Sequence, residues 1–274
     1  MSHNFDPFVA ELVSYVSDSR YSLVEKCLKL AQTFEYKDLS ITEYVQKLDA
    51  MGKALRDSLS GVKNSTYLIS MLNEYMFDTV GFAGNLDDYY NPKNNFLNVV
   101  IDKKIGIPIT LSIIYVELAK HIGLDLRLVG FPSHFLVKHS EEIILDPYGH
   151  GRLLTIDDLH EILDANYGGE VEFLPEFLDE IDSEKILVRI ARNLKNSYTQ
   201  SFNYDTAIHC INLILSIEPS SPEEIRDKGV LEARLLHYNE AIEYLNRYVE
   251  LMPEAEDVDF VLDLIRSVRE KTSQ

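Results

Sequence analysis

The chain has only two cysteines, Cys27 and Cys210. They lie far apart in different halves of the sequence, so neither a disulfide framework nor a cysteine-rich zinc site is expected, and no metal or other cofactor is called for. Basic residues are scarce as well: 26 Lys+Arg stand against 45 Asp+Glu, a formal charge of −19. Such a charge repels phosphate backbones and anionic lipid surfaces, which argues against nucleic acid and membranes as partners and favours basic proteins. No stretch approaches the ~18 uninterrupted apolar residues that a membrane span requires. The opening Met1-Ser2-His3-Asn4-Phe5-Asp6 lacks the basic and apolar regions of a secretion signal, so the expected location is the cytoplasm.

What is present suffices for two packed units, since 274 residues at 46% hydrophobic can bury ordinary cores. Residues 7–80 place apolar side chains at helical spacing in four blocks: Phe8/Leu12/Val16, Val24/Cys27/Leu28/Ala31, Tyr44/Val45/Leu48/Leu55 and Leu68/Met71/Leu72/Tyr75. Ser22 marks the start of the second. Ser40, three residues before Glu43, marks the third, where hydroxyl and carboxylate can each satisfy a backbone amide. A turn-rich passage over 81–95 follows, in which Asp87 and Asp88 read as solvated carboxylates. Residues 108–121 are apolar on nearly every face, with Pro108 where a first helical position tolerates proline and Gly123 just past the end. The period then becomes extended over 126–131, 133–138 and 142–146. A loop at His139-Ser140-Glu141 sets Lys138 opposite Glu142 and His134 opposite Asp146; a one-residue change of loop leaves that pair diagonal, still within hydrogen-bonding reach.

From about Asp182 the pattern is helical again and it repeats. Tyr204 and Tyr238, Ala207 and Ala241, Ile208 and Ile242, and Pro219 and Pro253 are each 34 residues apart. That is the tetratricopeptide period, with alanine at a close helix crossing and proline beyond the second helix. The stretch Val258/Val261/Leu264/Ile265/Val268 is expected to cap the stack.

The chemistry centres on Gly106-Ile107-Pro108-Ile109-Thr110-Leu111-Ser112, Pro132-Ser133-His134-Phe135 and Ile144-Leu145-Asp146-Pro147. In a cysteine hydrolase or acyl transferase, a thiol at a helix N-terminus is ionised by the helix and a nearby histidine, which an aspartate orients. The frame Gly-x-Cys, then His, then Asp is the transglutaminase-like pattern, and this chain resembles it with Pro108 at the thiol position. Ile105 to Tyr115, Gly130 to Val137, Leu145 to Tyr148 and Gly151-Arg152 are, more narrowly, similar to the bacterial SirB branch of that family, whose members carry a C-terminal tetratricopeptide (TPR) unit.

The fold expected from pattern and resemblance is α+β. A helical N-terminal cluster (1–80) and a transglutaminase-like, cysteine-proteinase-like core (93–165) with a small antiparallel sheet form a domain over 1–178. An all-α TPR-type unit follows over 183–274.

Proline offers no proton to remove and no lone pair to attack with, and it takes one amide donor away from the helix end. Cys27 and Cys210 sit on apolar helix faces and read as buried spacers. Among neighbouring hydroxyls Thr110 is the better nucleophile candidate, since Ser112 occupies the pattern's small-residue site. The leading expectation is therefore a non-catalytic regulatory or interaction module that binds a protein or peptide through residues 183–274. The rival is a hydrolase or amidase in which His134 and Asp146 activate water or the Thr110 hydroxyl. A third reading makes the vacated cleft a ligand site, with Tyr148 and Arg152 as binding candidates.

Overall fold

The computed structural model of the chain describes residues 6–61 and 64–272. They form two compact units, Asp18–Leu187 and the described parts of Met1–Ser17 with Val188–Gln274. Helix α1 (Pro7–Ser17) buries Val9, Leu12 and Val16 and packs on the distant helix Tyr204–Ile217. The sequence pattern groups α1 with the helices that follow it, because apolar spacing fixes which face is buried but not which partner buries it.

In the first unit, α2 (Leu23–Phe34) opens with a reciprocal cap: Ser22 Oγ accepts from Glu25 N at 3.3 Å and Glu25 Oε2 accepts from Ser22 N at 2.8 Å. At α3 (Ile41–Ser58) half of that cap forms, since Ser40 Oγ accepts from Glu43 N while the Glu43 carboxylate lies 3.6 Å from Lys47 Nζ. Helix α4 (Ser65–Asn73) runs into a π turn, Glu74–Thr79. Strand β1 (Ala83–Gly84) pairs parallel with β2 (Ile105–Gly106), and a 3-10 turn (Pro92–Asn95) and α5 (Leu97–Lys103) lie between them. Helix α6 (Pro108–His121) is buried on nearly every face, as its composition requires; it packs on α3 and on strands β3 (Arg127–Val129) and β4 (Leu136–Ser140).

The sheet is antiparallel in the order β3, β4, β5 (Ile143–Asp146), β6 (Arg152–Leu154). Lys138 pairs with Ile144 rather than Glu142, because the hairpin closes tightly at Ser140↔Ile143 and a bulge falls between Lys138 and Ser140. Helix α7 (Ile156–Tyr167) was not evident from periodicity. Its ends are nonetheless marked, by Thr155 and Asp158 capping each other and by Gly168 at φ 61°. It buries Leu159 and Leu163 in one cluster with Val129, Phe131, Leu136, Ile144 and Leu154 from the sheet.

Helix α8 (Ser183–Gln200) leads into the second unit, followed by α9 (Tyr204–Ile217), α10 (Pro222–Arg234), α11 (Tyr238–Leu251) and α12 (Val258–Thr272). Ala207 and Ala241 are fully buried, and a Cβ on Gly229 would come within 2.7 Å of Leu245 Cγ, so small residues do sit at the close crossings. Val261, Ile265 and Val268 of α12 are buried, and the helix packs on α11 as a cap. The architecture is α+β followed by helical repeats. Among the described residues no helix is long and apolar enough to cross a membrane.

Candidate functional site

His134 is not on a strand, as the sequence pattern suggests, but in the bend before β4. Its amide donates to Phe131 O at 3.1 Å, with Pro132 at the second turn position and Ser133 at φ 58° in the third, the arrangement of a type II turn. The hydroxyl of Ser112 donates to Phe135 O at 3.4 Å and ties this bend to α6. Pro108 lies one turn earlier than Ser112 on the same helix face.

Asp146, at the end of β5, accepts through Oδ1 from His134 Nε2 at 3.0 Å and from Tyr148 N at 3.0 Å. Both side chains are largely buried, 16% exposed for His134 and 11% for Asp146, so the pair is oriented and shielded yet still reachable. The turn beyond it is built around the carboxylate: Gly151 N donates to Asp146 O at 2.8 Å, and a Cβ on Gly149 would sit 2.9 Å from Asp146 Oδ2. Tyr148 stands edge-on to His134, with ring centroids 6.2 Å apart, and its hydroxyl donates to Asn85 O at 3.1 Å. Burial, and then the Asp146 charge, push its phenol above the usual range. Below the turn, Asn73 at the start of the π turn donates to Gly151 O at 3.1 Å and accepts from Tyr115 OH at 2.7 Å. A Cβ on Gly151 would overlap that carboxamide.

The other candidates are placed less favourably for chemistry. Thr110 is 1% exposed; its Oγ1 caps α6 by accepting from Ile107 N at 3.1 Å, and its single proton is committed to the backbone carbonyls of Asn94 at 3.1 Å and Ile107 at 3.2 Å. Pro108 is itself buried, at the first position of the helix. Arg152 is more than half exposed and pairs with Asp158 at 3.3 Å. His139 is held by Ser65 Oγ at 2.8 Å and Asp125 O at 2.7 Å. Cys27 is buried on α2, and burial pushes its thiol up to about 12; Cys210, buried on α9, is pushed up in the same way. Both are the opposite of an activated thiolate. Among the described residues no group of three or more His, Cys, Asp or Glu is arranged to hold a metal ion.

Sequence reasoning missed the asparagines that support this site. Asn85 Oδ1 accepts from Asp88 N, Asn85 Nδ2 donates to Asn94 Oδ1, and Asn94 Nδ2 donates to Asp88 O and Tyr89 O, all within 3.0 Å. This framework places Tyr89 edge-on to Tyr148, at 6.2 Å. The signal was the density of Asn and Asp over 85–95, residues that bond to nearby backbone in turns.

Two family models match the chain: the transglutaminase-like superfamily over residues 42–192 and a tetratricopeptide repeat over 194–266. A UPF0162 protein of Xylella fastidiosa is 34% identical over 252 residues, covering 90% of this chain and 89% of its own. A UPF0162 protein of Vibrio cholerae is 28% identical over 63% of this chain and 65% of its own. The human F-box only protein 21 is 25% identical over 64% of this chain but only 28% of its own length. The α+β first unit and the helical repeats thus agree with the matches: the chain belongs to the transglutaminase-like superfamily, in its SirB-type branch with a C-terminal tetratricopeptide unit.

Proposed function

We propose that this protein is a non-catalytic transglutaminase-like module that acts inside the cell as a regulatory interaction protein, engaging a protein or peptide partner through its TPR unit. The observation that carries this reading is the buried proline at the first position of α6, with the chain's two thiols buried elsewhere and raised in pKa. A site of this type without a nucleophile retains shape and polarity but cannot form a covalent intermediate. Repeat stacks present extended surfaces that suit peptide recognition. The test is capture from lysate with the full chain and with a bait lacking residues 183–274, whose fold is checked by circular dichroism. A discrete partner retained by the full chain alone is expected; a partner retained equally by both baits would sink the proposal.

A second reading, a hydrolase or amidase, is favoured by one observation: His134 remains hydrogen-bonded to an oriented Asp146, as a general base would be. Its nucleophile would be water, because the Thr110 proton is taken up by the backbone carbonyls of Asn94 and Ile107. Turnover of amide, ester and peptide substrates that disappears in His134→Ala would establish it, and identical background rates in both proteins would end it.

A further inference from the structure

Helices α8 and α10 end in the same closure. Asn203 N donates to Tyr198 O at 2.9 Å and Phe202 N to Thr199 O at 3.1 Å; in the next repeat His237 N donates to Glu232 O at 2.9 Å and Leu236 N to Ala233 O at 3.3 Å. This closure puts the residue just past the helix in the left-handed conformation, where glycine is the usual choice because a Cβ is strained there. The chain instead has Phe202 at φ 61° and Leu236 at φ 66°, equivalent positions in successive repeats.

Neither residue regains that strain by burial, for Phe202 is 78% exposed and Leu236 is 66% exposed. Strain that the fold itself does not use is characteristic of functional positions. The two turns adjoin, since α9 starts just after the first and α10, which returns along α9 and packs on it, ends at the second; there His237 Nδ1 donates to Glu232 Oε2 at 2.8 Å, so its charge is offset within the turn. Asp205 and Glu240 are exposed beside the apolar pair, and Arg234 is the one Lys or Arg within 201–206 and 232–240. An edge that is apolar at two repeat-related points and mostly acidic around them is complementary to a segment that is apolar and basic.

We propose that the turn edge centred on Phe202 and Leu236 receives a basic segment of a partner protein, whose apolar side chains cover these two residues and whose Lys and Arg side chains face Asp205 and Glu240. The proposal rests on the interaction reading above and adds to it the surface and the chemistry of the partner.

The test uses the full chain and its Phe202→Gly/Leu236→Gly variant, in which stability and binding should move in opposite directions. The probes are a fluorescein-labelled 14-residue peptide of Lys and Leu at helical spacing and its counterpart with Glu for every Lys. The wild type should bind the Lys/Leu peptide at least tenfold more tightly than the glycine variant, more weakly as salt is raised, and should ignore the Glu/Leu peptide. The variant should melt at a higher temperature, because glycine relieves the strained turns. Equal affinity in the two proteins, equal binding of the two peptides, or a lower melting temperature in the variant would each overturn the proposal. So would wild-type self-association in sedimentation that the variant loses, which would make a second copy the occupant. A lysate partner that depends on residues 183–274 but survives both glycine substitutions would remove this surface and leave the interaction reading intact.

Discussion

Replacing Pro108 with cysteine puts a thiol at the first position of α6, where the positive end of the helix favours a thiolate, on the face that Ser112 ties to the His134 bend. The wild-type background is low, because Cys27 and Cys210 are buried and raised in pKa. An unassisted thiol with a pKa of about 8.5 is roughly 0.3% ionised at pH 6, whereas one lowered to about 6 by helix and histidine is about half ionised, a gain of roughly 160-fold. The more acidic thiolate is also less nucleophilic, by about 13-fold over the same interval at a Brønsted slope near 0.45. The helix end remains in Pro108→Cys/His134→Ala, so about 12-fold is the upper limit of the imidazole's share: alkylation by iodoacetamide at pH 6, followed by intact-mass spectrometry, should be several-fold and at most about 12-fold faster in Pro108→Cys than in the double variant. Equal rates in the two variants would refute the alignment of Pro108 with a thiol position served by His134.

Other perturbations probe the supports. Glu224 is 1% exposed and binds Arg192 Nε at 2.8 Å and Lys195 Nζ at 2.7 Å. Lys195 keeps Asp227 and Arg192 keeps Glu218, so Glu224→Ala should cost about 3 kcal/mol, the lower end for breaking a buried pair, when the helical unit is unfolded in urea; a cost below about 1 kcal/mol would contradict this. His134→Ala leaves Asp146 with Tyr148 N but without its imidazole donor, and should destabilise the first unit by roughly 1–2 kcal/mol in the same assay, with no measurable change as the contrary result. Burial pushes the Asp6 carboxyl up, but hydrogen bonds from His209, Asn212 and the Phe8 amide outweigh it and leave the group below its usual range. A depressed folded-state pKa contributes stability that is present above about pH 3.9 and lost as pH falls through the folded value. The gap in melting temperature between wild type and Asp6→Asn should therefore be widest near neutrality and close in acid; a gap that does not depend on pH would contradict the docking of α1 through Asp6.

Where local chemistry decides the structure, it was legible. Helix α6 begins at Pro108 and ends at His121 as its all-round apolar run implies, and α9 and α11 start at Tyr204 and Tyr238, one repeat apart. The pairing of His134 with Asp146 was anticipated, though through a strand-to-strand register that the hairpin does not adopt. A tight loop at Ser140↔Ile143 shifts the partners, and the pair survives because His134 reaches Asp146 from a turn. Long-range choices were not legible. The apolar face of α1 does not encode that α9 covers it, and the support that Asn73 and Asn85 give the site depends on hydrogen bonds to Gly151 and from Tyr148, which are remote from them in sequence. Helix α7 was missed because its two buried leucines give too faint a period, although the Thr155–Asp158 cap announced it.

The most direct measurement is a crystal structure of Pro108→Cys. The account predicts the new sulfur within about 4 Å of an imidazole nitrogen of His134, with the His134–Asp146 hydrogen bond preserved. A sulfur pointing into the helical core, out of reach of that imidazole, would contradict the claim that Pro108 stands where a catalytic thiol would be.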